Sequence, residues 1–327
     1  MTDLSRFPRA SIAFLPTPIQ PLPRLSARLG GPALWTKRDD QTGPAFGGNK
    51  IRKLEFLLGA AQVHEADTLI TTGAPQSNHA RQTAAVAAQA GLKSVLVLRG
   101  EAPSHVTGNI LLDRLLGADI VWAGARDTAE VMNELADALR ARGQRPFVIP
   151  LGGSNSTGAL GYVAAMREFV DQCREMNVRF DAVVFPTSSG GTQAGMVVGA
   201  RLFGYEGRIT GISVDQRADV FKQTLAPLAS GVAARLGLGA TLGESDFDVR
   251  DDYLGAGYAV MGEPEREAIA LAAQSDGLLV DPVYTGRALA GLIDLVRTGE
   301  FEPGQDVLFW HTGGTPALFA YAGEWSG

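Results

Sequence analysis

Cysteine is almost missing: Cys173 is the only one among 327 residues, which excludes any disulfide within the chain. Histidine is scarce too. His64, His79, His105 and His311 lack the spacing of metal ligands, so no metal site is expected. Aromatic residues make up only 7%, the net charge is -6, and basic residues form no runs interleaved with rings. Nothing in that pattern attracts a phosphate backbone, so nucleic acid is not an expected partner. No apolar segment is long enough to cross a bilayer, and Arg6, Pro8, Arg9 and Pro16 interrupt the opening residues where a secretory leader would be continuously apolar. The expectation is a cytoplasmic protein without membrane contact. Cys173 sits in a helical-looking run from Tyr162 to Met176 with no basic cluster beside it, so it reads as a packed thiol.

What is plentiful is apolar material, 45% of the chain, arranged in short β-branched runs each followed by a stretch of helical period. That alternation predicts an α/β fold with parallel sheets. One series of strands comprises Leu34 to Arg38, Thr68 to Thr72, Ser94 to Arg99, Asp119 to Trp122 and Phe147 to Pro150. A second comprises Ala182 to Pro186, Ile209 to Val214, Leu278 to Asp281 and Val307 to His311, and should form the larger sheet. The Gly-rich stretches Gly43 to Gly48 and Gly152 to Gly158 are the natural crossing points. The expected organisation is a large domain, 1–52 with 159–327, into which a small domain, 53–158, is inserted. Ala218 to Asp251 reads as a helix and a Gly-rich acidic loop without chemistry.

Four segments carry candidate chemistry. Gly47, Gly48, Asn49 and Lys50 place a lysine at a helix start, where the helix N-terminus and the cations of Arg52 and Lys53 would lower its pKa; the alternative is a solvated surface lysine. Gln76, Ser77, Asn78 and His79 lie at a strand-to-helix turn, where Ser77 suits an N-cap and free N–H groups suit a carboxylate. Ser188, Ser189, Gly190, Gly191 and Thr192 form another such turn, able to cup a phosphate but lacking both the nucleoside-triphosphate lysine and the three-glycine dinucleotide spacing. Tyr258, then Asp281 to Gly286 with Tyr284 and Thr285, then His311 to Gly314 with Thr312, make up the fourth. A tyrosine there is either a hydrogen-bonded core residue or an acid or base.

These segments, in this order, resemble the D-cysteine desulfhydrase and 1-aminocyclopropane-1-carboxylate deaminase family of fold-type II pyridoxal-phosphate enzymes. Leu15 to Pro18, Lys37 to Asp40 and Gly152 to Asn155 extend the likeness over nearly the whole chain. The resemblance implies two open, twisted, mainly parallel sheets flanked by helices, as in the β subunit of tryptophan synthase, and pyridoxal 5'-phosphate as cofactor. It implies Lys50 as the Schiff-base lysine and Asn78 as partner of the cofactor's ring hydroxyl. Ser189, Gly190, Gly191 and Thr192 would be the phosphate loop, assisted by Lys53. Ser77, Asn78 and His79 would clamp the carboxylate of a small amino-acid substrate, with Tyr258, Tyr284 and Thr312 facing it. Thr285 and Thr312 stand beside the cofactor where the deaminases have glutamate and leucine, so the resemblance favours β-elimination from D-cysteine; L-cysteate sulfo-lyase, cyclopropane deamination and a cofactor-binding protein without turnover are the alternatives. A sulfonate substrate would need a further donor such as Arg81 or Thr315. Pro44, Phe46, Pro75 and Thr315 depart from the family pattern near the expected pocket. The family also implies a homodimer.

Overall fold

The computed structural model describes residues 4–325. Ten strands appear among them: β1 Ile19–Pro21, β2 Ala33–Arg38, β3 Thr68–Gly73, β4 Lys93–Leu98, β5 Asp119–Trp122, β6 Pro146–Val148, β7 Ala182–Thr187, β8 Arg208–Ser213, β9 Asp248–Arg250 and β10 Asp306–His311. The helices are α1 Pro23–Leu29, α2 Asn49–Val63, α3 Asn78–Gln89, α4 Gly108–Leu115, α5 Thr128–Ala141, α6 Leu160–Met176, α7 Gly191–Phe203, α8 Ala218–Leu236, α9 Glu263–Asp276, α10 Thr285–Arg297 and α11 Thr315–Leu318. A six-stranded sheet runs β1-β2-β10-β7-β8-β9, parallel except for β1, and a four-stranded parallel sheet runs β5-β4-β3-β6. All four strands of the smaller sheet come from residues between 53 and 158. Among the described residues no helix is long and apolar enough to cross a membrane.

The larger sheet is covered on both faces, which is why its inner strands are apolar without interruption. Alternate residues separate cleanly. Val184, Ile212 and Phe309 pack against Leu289, Leu292 and Ile293 of α10, whereas Val183, Phe185, Leu308 and Trp310 meet Tyr162, Met166 and Phe169 of α6. Cys173 is half-buried on α6, and burial pushes its thiol up to about 11, in keeping with a packed, unreactive side chain.

One expected strand is absent. Leu278 to Asp281 is extended and largely buried but pairs with no strand, because β10 already has β2 on one edge and β7 on the other. Its backbone is met instead by a side chain, His311 Nε2, 2.8 Å from the Leu279 carbonyl oxygen. The outer edge next to β8 is taken by β9, from a segment the sequence presented as loop.

Small residues set how α2, α6 and α7 stack. A methyl group added at Gly195 of α7 would lie 2.3 Å from the Ala159 carbonyl oxygen, and one at Gly161 of α6 would lie 2.2 Å from that of Arg52 on α2. Only hydrogen fits at either crossing. The close stack brings the N-terminal turns of α2 and α7 to one place.

Candidate active site

Lys50, Ser77, Asn78, His79, Ser189, Gly190, Thr192, Tyr258, Tyr284 and Thr312 all line one cavity of about 700 Å³. Apart from Tyr258, in the loop before α9, and Tyr284, at the start of α10, their segments follow β3, β7 and β10 or open α2, so they gather at the carboxyl ends of parallel strands, where such sheets bind ligands. Lys53, Gly191 and Thr285 do not reach the cavity wall.

Lys50 is the second residue of α2, preceded by Gly48 with φ 123°. Burial lowers its pKa to about 8, so the amine is within reach of its neutral form near physiological pH. The expected cause was different. Lys53 and Asp215 push the Lys50 value upward, and Arg52 faces away into a buried ion network, donating to Asp39 at 2.8 Å and to Glu168 at 2.9 and 3.0 Å. Lys37 donates to Glu168 at 2.5 Å and Tyr162 to Asp39 at 2.6 Å, which ties β2, α2 and α6 together behind the site.

Lys53 lies one turn from Lys50 and is buried. Its amine donates to the Gly152 carbonyl at 3.1 Å and to Ser154 Oγ at 3.2 Å and is hydrogen-bonded to Lys50, with no carboxylate partner among the described residues. Burial and the neighbouring Lys50 hold its pKa well below the usual lysine range. Ser154 Oγ in turn meets Ser189 Oγ at 2.8 Å and accepts from the Gly191 N–H at 3.1 Å, and a methyl group at Gly191 would sit 3.0 Å from Lys53 Nζ. A buried amine with no carboxylate partner among the described residues, hydroxyls and the N-terminus of α7 converge here, donors that suit a phosphate monoester. The residues present therefore fit the cofactor that the resemblance implies.

On the opposite wall Ser77 caps α3, its Oγ accepting from Ala80 N–H at 3.1 Å, and is also part of the cavity lining. Capping and ligand binding thus fall on one residue. His79 is buried, with Nε2 2.8 Å from Thr71 Oγ1 and Nδ1 unpartnered among the described residues. Burial, then Lys50 and Lys53, keep the imidazole neutral by lowering its pKa well below the ordinary value. Tyr258 and Tyr284 join hydroxyl to hydroxyl at 2.7 Å with rings edge to face. Burial first, then Tyr258, raises the Tyr284 phenol well above its ordinary range, so it stays protonated.

Thr285 is engaged elsewhere. Its hydroxyl donates to Asp281 Oδ1 at 2.7 Å and accepts from the Asp281 N–H at 2.9 Å. Asp281 also accepts from the N–H groups of Val283, Tyr284 and Thr285, so a fully satisfied, buried carboxylate stands behind this wall. Thr312 lines the cavity while its carbonyl accepts from the Asn49 N–H at 2.9 Å. Pro44, Phe46, Pro75 and Thr315 do not line it, and neither does Arg81, which is bound to backbone carbonyls of the loop before Lys50.

Several lining residues escaped the sequence reading. Arg99 is the arginine that does line the cavity, Asp215 accepts from Ser188 Oγ at 2.7 Å, and Asp127 to Ala129 bring the start of α5. Arg99 and Asp215 sit just past β4 and β8. Their position after a parallel strand was the available signal.

The sequence pattern of the pyridoxal-phosphate-dependent enzymes matches residues 10–313. The chain is 45% identical to a D-cysteine desulfhydrase of Klebsiella pneumoniae (strain 342), covering 98% of both chains, and 45% identical to one of Salmonella typhi, covering 97% of both. It superposes on the crystal structure of an ACC deaminase homologue with a TM-score of 0.91 at 38% identity, covering 98% of this chain and 96% of that one. A threonine deaminase isoform from Solanum lycopersicum, at 16% identity and a TM-score of 0.66, shares the fold. Likeness of this extent, over a cavity with a desolvated lysine, places the chain in the family of pyridoxal-phosphate-dependent enzymes.

Proposed function

We propose that this enzyme is a D-cysteine desulfhydrase, converting D-cysteine and water to sulfide, pyruvate and ammonia. The observation that carries the reading is one cavity holding both the desolvated Lys50 amine and the Tyr258–Tyr284 hydroxyl pair. Those are a base for the α-proton and an acid for the departing sulfur.

Lys53, Ser189, Ser154, Thr192 and the N–H groups of α7 would hold the cofactor's phosphate, and Lys50 would be the residue that anchors its aldehyde. When bound, pyridoxal phosphate supplies an electron sink that acidifies the α-carbon of an attached amino acid. Ser77 and the N–H groups at the start of α3 bind the substrate carboxylate. Lys50, lowered to about 8, takes the α-proton, and the Ser77 hydroxyl, which lines the same cavity, is the alternative acceptor. The C–S electron pair leaves with sulfur, and Tyr284 donates the proton that makes the thiolate a good leaving group while Tyr258 holds its hydroxyl in line. A homodimer, a cytoplasmic location and a division into a large domain, 1–52 with 159–327, and a small one, 53–158, belong to the same reading.

The deciding experiment measures pyruvate, or 2-oxobutyrate for the cyclopropane acid, released from D-cysteine, L-cysteine, L-cysteate and 1-aminocyclopropane-1-carboxylate. D-cysteine should give the highest kcat/KM. Preference for L-cysteate or the cyclopropane acid would replace this reading with the corresponding activity. Borohydride reduction should label the peptide containing Lys50, and light scattering should report twice the chain mass.

A further inference from the structure

Asn109, the second residue of α4, is completely buried and takes no part in the chemistry described above. Both ends of its amide are chemically fixed. Arg81 Nε, which can only donate, points at Asn109 Oδ1 at 2.8 Å, and the Gln76 carbonyl, which can only accept, receives Asn109 Nδ2 at 2.8 Å. The other hydrogen of Nδ2 goes to Asn78 Oδ1, also at 2.8 Å. Asn78 therefore has its oxygen occupied by protein, and its NH2 has no partner among the described residues. That NH2 stands beside Gly314, 3.0 Å from where a methyl group there would be, and Asn78 lines the cavity.

We propose that Asn109 and Arg81 are positioning residues that fix the amide of Asn78 with its donor turned to the ligand, committing this wall to a cofactor that offers an ionised ring oxygen. The inference rests on the cofactor reading above. Arg81 does a second thing at the same time. Its guanidinium donates to the carbonyls of Ala45 and Gly47, in a run where Ala45, Phe46, Gly47 and Gly48 have φ of 49°, 67°, 55° and 123°. Left-handed conformations are unfavourable for Ala45 and Phe46, so the run needs holding. One buried arginine thus joins the loop that delivers Lys50 to the amide that receives the ring. Its charge faces Asp113, buried on α4 with neither oxygen hydrogen-bonded.

The test compares Asn109→Asp with Asn109→Leu in the holoenzyme, reading the cofactor dissociation constant by dialysis and the pH titration of its visible absorption. In Asn109→Asp the carboxylate still receives Arg81 but can only accept, so Asn78 must turn its NH2 inward and present oxygen to the cavity. A buried acceptor facing an anion should weaken cofactor binding about tenfold or more and displace the absorption titration, whereas Asn109→Leu leaves Asn78 free to turn and should cost less than about threefold. In an Asn78→Ala background the effect of Asn109→Asp should vanish. Equal loss in both variants, or an undiminished effect without Asn78, overturns the proposal. Should Asn109→Asp not fold, Arg81→Gln removes the obligate donor, and its effect on the absorption titration must likewise depend on Asn78. A wild-type protein that takes up no cofactor would overturn this inference and the functional reading together.

Discussion

Lys50 and Tyr284 show how burial alone prepares an acid and a base. Desolvation penalises the charged form of each, so it lowers the amine and raises the phenol. The sign for Lys50 is definite: the reactive neutral amine is scarce below about 8 and dominant above it. Cofactor capture by the apoprotein, followed by absorbance after stopped-flow mixing, should accelerate as pH rises and level off above that value. A profile that is flat from pH 6 to 9 would contradict it. At the other wall, Tyr284→Phe removes the acid and should lower kcat by about a hundredfold or more with little change in KM for D-cysteine. Tyr258→Phe, which only loses the hydroxyl that aligns Tyr284, should have a smaller effect. Ser77 was readable in the sequence because it stands in a turn after an apolar strand, Lys50 because twin glycines precede it at a helix start, and the two tyrosines because they stand in or beside runs of turn residues. Asn109, Asp215 and Arg99 were not. They come from separate segments whose local context is ordinary, and only folding gives them their neighbours. The role of Asp281 was not legible either, since four donors to one carboxylate cannot be inferred from the order of residues Asp281 to Gly286.

At the scale of elements, the strand series was legible wherever an uninterrupted apolar run met a helical period. Leu278 to Asp281 has the same local pattern as β7 and still forms no strand, because pairing depends on a free edge elsewhere in the sheet. β9 is the reverse case, three residues recruited by an open edge despite a polar composition. The ion network that ties β2, α2 and α6 together could not be foreseen, as Tyr162 and Glu168 stand more than a hundred residues from Lys37, Asp39 and Arg52. Asp39 in it is fully buried; burial alone would raise its pKa, but Arg52, Lys37 and Tyr162 outweigh that and hold it low. Removing it leaves Arg52 with Glu168 as its one remaining carboxylate partner. Asp39→Ala should therefore destabilise the fold by about 3–5 kcal/mol in urea or thermal unfolding, and a loss under 1 kcal/mol would show the network to be replaceable.

Across the whole molecule, the two sheets supply opposite walls of one cavity, with β3 and β4 behind one wall and β7, β8 and β10 behind the other. The Lys53 amine is buried between them with no carboxylate partner among the described residues, so a bound anion would favour its charged form. An anion that binds the folded state alone stabilises it by mass action. Inorganic phosphate at millimolar concentration should raise the melting temperature of the apoprotein, and Lys53→Met should abolish that rise while leaving the apoprotein folded. An equal rise in the variant would place phosphate elsewhere.

The course of α2 has one more consequence. It presents Lys50 to the cavity and Lys53 to Gly152 and Ser154 beside it, while Arg52 and Glu55 point the other way, towards Asp39 and towards Arg9. Inserting one residue between Lys50 and Arg52 would turn Lys50 by about 100° against Arg52, Lys53 and Glu55. Length variation in this helix should thus be forbidden even where substitution is tolerated, and a library of single-codon insertions would find Asn49 to Glu55 barren.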